Sequence, residues 1–120
     1  MTSFYQKGID FAEEFGVLDK LNRLSESSVD LEFIFTSFAF GTIRSRRHFS
    51  NQINEIIALS CVLVKGNDDA IKSHIMLSKN SGMTNEDITE VFIQCIPFCG
   101  FDNVLQAMKY IYRINLKMQA

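Results

Sequence analysis

The stretch NQINEIIALSCVLVKGNDDAIKSHIMLSKNSGMTNEDITEVFIQ, residues 51–94, decides the fold. Its apolar residues recur at spacings of three and four, the helical period, and not at two. Ser50 stands before the first run and suits an N-cap, and Lys65-Gly66 suits its end. Asn67 or Asp68 can cap a second helix over about 68–80, with Gly82 just beyond it. Thr84 and Asp87 have the spacing of a capping box for a third, on which Ile88, Val91, Phe92, Cys95 and Cys99 form one stripe. The first of these helices is apolar nearly all round after Glu55, which predicts a central position for it.

The rest of the chain extends the same pattern. A helix is expected over about 3–24, with Gly8 and Gly16 as possible interruptions and the polar run SESSVD as its end. Another starts near Asp30, runs through LEFIFTSFAF and stops near Gly41. The loop TIRSRRHF follows. Pro97 should kink or end the helix that carries it. Asp102 caps the last helix, where Val104, Ala107, Met108, Ile111 and Tyr112 face inward. With short connections throughout, neighbours pack antiparallel. The expected product is an all-α, compact single domain of about six helices, spanning residues 1–120.

Composition narrows the function classes. At 120 residues, 47% hydrophobic and 22% charged, the chain has the make-up of one globular domain. Eleven Phe is a large apolar load for this length, and so short a domain buries only about two-thirds of its unfolded surface. The surplus predicts a homo-oligomer. Net charge is −2 with acids and bases mixed, and the one basic cluster, Arg44 to His48, is too short for a nucleic-acid footprint. No nucleic-acid partner is expected. The longest apolar run, IIALSCVLV, is too short to span a bilayer, and MTSFYQKGID does not read as a signal peptide, so a cytoplasmic address and no membrane partner are expected. Cys61, Cys95 and Cys99 all lie in apolar runs and are assigned to core packing. With no H-x-x-x-H and no glycine-rich phosphate loop, neither a metal nor another cofactor is expected.

Two residues stand out as candidates for chemistry. His74 is one of only two histidines and sits on a mostly apolar helix face. Such a histidine is either a hydrogen-bonded core residue or the acid/base of a pocket. Glu55 shares a helical line with Leu59 and Val62. Partial desolvation there would tune it towards general acid/base work, whereas a first-turn acid serving the helix dipole is the plainer alternative. Contact between the two cannot be read from spacing, because they lie on different helices.

Ordered pieces of the chain resemble the carboxymuconolactone decarboxylase family, which includes the alkylhydroperoxidase D proteins. FAFGTIRSR, residues 38–46, is similar to the family's F-x-x-G-x-I/V-W-S-R block. NSGMTNEDI, residues 80–88, resembles its N-G-x-T-x-E-E-I block, with His74 at the family's histidine. IPFCGFDNVLQAM, residues 96–108, is similar to its Y-x-G-x-P-x-A segment, and FYQKGIDFAEEFG, residues 4–16, to its N-terminal helix.

The resemblance implies a small all-helical subunit that assembles as a trimer or hexamer and binds a small-molecule substrate. The redox branch carries E-x11-C-x2-C-x3-H. With its histidine on His74, the glutamate falls on Glu55, and the two cysteines fall on Asn67 and Ala70, where no thiol stands. The decarboxylase branch needs no such thiols. There His74 would donate a proton or face an oxyanion, Glu55 would set its protonation, and Arg46 would anchor a substrate carboxylate. Arg47, Asn54 and Asp102 depart from the family's pattern, which has proline, arginine and proline there. Decarboxylase-type acid/base chemistry is the expectation, with a thiol-dependent peroxidase or a non-catalytic oligomeric member as alternatives.

Overall fold

The structure, a computed structural model, describes residues 2–119, with the side chains of Tyr112 and of residues 114–119 outside that description. The inward orientation expected for Tyr112 therefore lies outside the described residues. The described chain is helical, with no strand, as the sequence period requires. None of its helices is long and apolar enough to cross a membrane. Contacts divide it into two compact units, up to Phe49 and from Ser50 onward.

In the first unit, α1 spans Phe4–Glu14 and begins at Ser3, whose hydroxyl accepts from the Gln6 amide at 3.0 Å. The single helix expected over 3–24 is broken in two. Gly16 takes a φ of 73°, a conformation that a residue with a Cβ rarely adopts, and α2 restarts at Leu18–Ser27. Ser28 then does two jobs. Its N–H closes α2 on the Leu24 carbonyl, and its hydroxyl caps α3, Val29–Phe35, by accepting from Leu31 N–H at 3.1 Å.

Beyond α3 the chain does not stop near Gly41. It widens into a π-helical segment, Thr36–Arg44, so the expected loop shortens to about residues 45–50. The wider winding shows in its bonds: Ser45 N–H reaches back five residues to Phe40, and the Thr42 hydroxyl five residues to Ser37. α1 and this segment meet backbone to backbone. A Cβ on Gly8 would collide with the Thr36 carbonyl, and one on Gly41 with the Phe4 carbonyl. The same unit buries Glu32 and satisfies it with hydroxyls, from Tyr5 at 2.8 Å and Thr36 at 2.9 Å. The bond to Glu32, then burial, then the carboxylate's charge raise the Tyr5 pKa. Phe11, Phe15 and Phe40 pack ring on ring at 4.6 and 4.9 Å.

The second unit follows the expected helix order closely. α4 is Asn51–Lys65, capped by Ser50 and closed at Gly66; α5 is Asp68–Asn80, capped by Asn67 through the Ala70 amide. α6 is Asn85–Cys99, and both bonds of the Thr84/Asp87 capping box are made, at 3.1 and 2.9 Å. Pro97 does not break α6; it occupies the last turn, and the helix ends at Gly100. α7 is Phe101–Gln119, so Asp102 lies inside its first turn and is not its cap. Leu59, Leu63, Ile71, Ile75, Ile88, Phe92, Val104, Ala107, Tyr110 and Ile111 form the core.

One expectation for α4 needs correction. The helix buries one line, Glu55, Leu59 and Leu63, but Ile53, Ile56, Ile57, Cys61 and Val64 are exposed. It is central on one side only, because α5, α6 and α7 all cover that same side. Cys61 is accordingly not a core residue.

The close approach of α1 to the π-helical segment makes a direct prediction. Gly41→Ala should destabilise the protein by about 1–3 kcal/mol, since the added methyl meets rigid backbone. Equilibrium denaturation measures this, and a midpoint equal to that of the unchanged protein would refute the contact.

Candidate active site

The geometry around His74 follows from two helices with offset faces. On α4 the four-residue repeat Glu55, Leu59, Leu63 points into the core, so the carboxylate is carried inside with the leucines. Only 1% of Glu55 is exposed. On α5, Ile71, Ile75 and Ser78 are buried, and His74 sits at the edge of that face with 23% of its side chain exposed. The Ser78 hydroxyl donates to the His74 carbonyl at 2.7 Å, which fixes the turn beneath the ring.

His74 Nδ1 lies 3.5 Å from Glu55 Oε2. This is ion-pair range and the long end of hydrogen bonding. The contact that spacing left open is therefore made. A carboxylate oxygen against Nδ1 accepts the proton that nitrogen carries, in the neutral or the charged ring, and so orients the imidazole. Either way Nε2 is the nitrogen left for other work. A buried carboxylate, a partly open imidazole and a fixed helix turn can together hold a proton and pass it on.

Arg46 belongs to the other unit. It is exposed on the segment after the π helix, and its backbone N–H bonds to the Ile43 carbonyl at 3.2 Å. Arg47 and His48 are exposed beside it. Glu55 and His74 are thus brought together within one unit, and Arg46 is carried by a different one.

The positions where the redox relatives would carry thiols have other work here. Asn67 starts α5 as its cap, its side-chain oxygen accepting from Ala70 N–H at 2.9 Å. Cys95 is buried, as core packing requires. Cys99 is half-buried; burial first, and the nearby Cys95 second, push its thiol pKa up. Neither has the surroundings that activate a thiolate.

A feature not anticipated from sequence is a groove of about 550 Å³ between α4 and α6. Ile56, Ser60 and Val64 form one wall, and Val91, Cys95 and Phe98 the other. Neither Glu55 nor His74 lines it. Asp87 and Glu90 stand at its margin and would repel a carboxylate, so the groove does not suit an anionic substrate. Its signal in the sequence is the uncharged run from Ile56 to Val64, which by itself predicts only a central position for the helix.

Over 100 residues the chain is 22% identical to the 4-carboxymuconolactone decarboxylase of Acinetobacter baylyi (strain ATCC 33305 / BD413 / ADP1), covering 80% of this chain and 75% of that protein. The Carboxymuconolactone decarboxylase family matches residues 30–112, a span that holds Arg46, Glu55 and His74. With well over half of its length matched and its all-helical fold in accord, the chain belongs to the carboxymuconolactone decarboxylase family.

Proposed function

We propose that the protein is an acid/base catalyst acting on a small carboxylated substrate, by lactone decarboxylation or a related proton transfer. In this reading it works in the cytoplasm as a homo-oligomer, a trimer or hexamer. The observation that carries the proposal is the buried Glu55 carboxylate 3.5 Å from Nδ1 of the partly exposed His74. Family membership and the name of the relative support the reaction class.

The chemistry balances with these groups. The bond from carbon to the departing carboxylate breaks, CO2 leaves, and the electron pair moves into a conjugated carbonyl as an enolate. His74, as imidazolium, donates the Nε2 proton to carbon and regains it from water. Glu55 holds the ring and stabilises its charged form. A retained carboxylate calls for a two-pronged guanidinium, the role that the family resemblance gives to Arg46.

His74→Ala should lower the rate of CO2 release from 4-carboxymuconolactone by about 10²–10⁴-fold with the helical content kept. Turnover at the unchanged rate would refute the role given to His74. Glu55→Gln can still accept the Nδ1 proton but lacks the charge that supports the imidazolium, so kcat should fall by about 10–100-fold with little change in KM. Arg46→Ala should act mainly on KM; an effect on kcat alone would remove it from substrate binding.

A thiol-dependent reading has one observation in its favour, the exposure of Cys61. Native-state alkylation near neutral pH separates the two. The acid/base reading expects turnover to survive alkylation of Cys61. Cys95 should be protected, and Cys99 slow because its raised pKa keeps the thiol protonated below that value. Activity that survives complete alkylation excludes the thiol reading, and activity lost on alkylation of Cys61 with the mass of the assembly unchanged would support it.

A further inference from the structure

The exposed side of α4 has no assigned role and an unusual composition. From Ile56 to Val64 the helix carries no charged residue, and yet half of this stretch faces outward. Ile53, Ile57, Ser60 and Val64 recur at four, three and four, the spacing of a seam between two helices. The Ser60 hydroxyl is turned back onto the Ile56 carbonyl at 2.7 Å, so the seam presents no unsatisfied donor. An apolar strip of this kind, continuous with the walls of the α4/α6 groove, marks a surface that another helix covers.

Charge and direction identify that helix. The Gln52 side chain donates to the Ser81 carbonyl at 3.1 Å, just ahead of α6, so α4 and α6 start at the same end. That end of the groove carries the carboxylates Asp87 and Glu90. The opposite end of α4 carries Lys65. A second α4 laid antiparallel along the first brings its own Lys65 to Asp87 and Glu90. The same register sets Ile53 against the second copy's Val64 and Ile57 against its Ser60, and each match occurs twice by symmetry. A parallel pairing would instead leave both lysines together and both carboxylate pairs together.

We infer that α4 and the α4/α6 groove form an isologous two-fold interface in which α4 of a second copy of this chain lies antiparallel along α4. α4 cannot pair with itself within one chain, so the occupant is a separate molecule. The two-fold contact makes a dimer, and with a second, different contact it makes larger even-numbered assemblies such as a hexamer. Glu55 and His74 face the other side of α4, so the interface stands or falls separately from the proposed chemistry.

Light scattering on the eluting full-length protein tests it. The unchanged protein should have a mass that is an even multiple of the chain. Ile57→Lys should reduce that mass with the circular-dichroism spectrum unchanged. Glu90→Lys and Lys65→Glu should each raise the dissociation constant about tenfold by setting like charges together, and the double variant should recover most of the loss. A monomeric or purely trimeric protein, a folded Ile57→Lys variant of full mass, or a double variant no better than the singles would each overturn the interface.

Discussion

A carboxylate inside an apolar helix line has to be answered by a polar partner, and in this protein that requirement ties α4 to α5. Glu55 shares its stripe with Leu59 and Leu63, which are wholly buried. Packing the leucines therefore carries the acid out of water, at a cost of several kcal/mol for an uncompensated charge. His74 answers it from α5, and the position of the ring sets which turn of α5 stands against which turn of α4. The caps at Ser50 and Asn67 fix where each helix starts, and so they fix the heights at which acid and imidazole are presented. Structure and candidate chemistry rest on the same contact.

α4 has two faces with different consequences. The inner face, with Glu55, Leu59 and Leu63, organises the second unit and brings Glu55 to His74 of α5. The outer face, with Ile53, Ile57, Ser60 and Val64, leaves apolar surface and a groove whose margin is acidic at one end. Periodicity alone does not separate a helix enclosed by its own domain from one half enclosed and half exposed. Both read as an almost uninterrupted apolar run, because water is excluded equally well by the same chain or by another one.

The helices of the second unit were legible because local signals agreed with one another. Ser50, Asn67 and the Thr84/Asp87 box are short-range hydrogen-bond devices that act without help from distant residues. The first unit was less legible. Gly8 and Gly16 look alike as interruptions, but only Gly16 turns the chain. Gly8 stays helical because its missing side chain admits the Thr36 carbonyl, a residue far along the sequence. The π-helical segment likewise had no sequence signature. A wide turn is tolerated there while α1 packs directly on it, and no local propensity encodes that.

The sequence by itself determined the all-helical class, the caps, the family and the three residues worth testing, since these depend on spacing and residue type along the chain. Only the tertiary structure decided that Glu55 meets His74, that Cys61 faces outward while Cys95 is buried, and that α4 keeps an open apolar face. Those outcomes depend on which sides of neighbouring helices are brought together. That choice is set by packing between residues distant in sequence, where a shift of one position along a helix turns a side chain by about 100°.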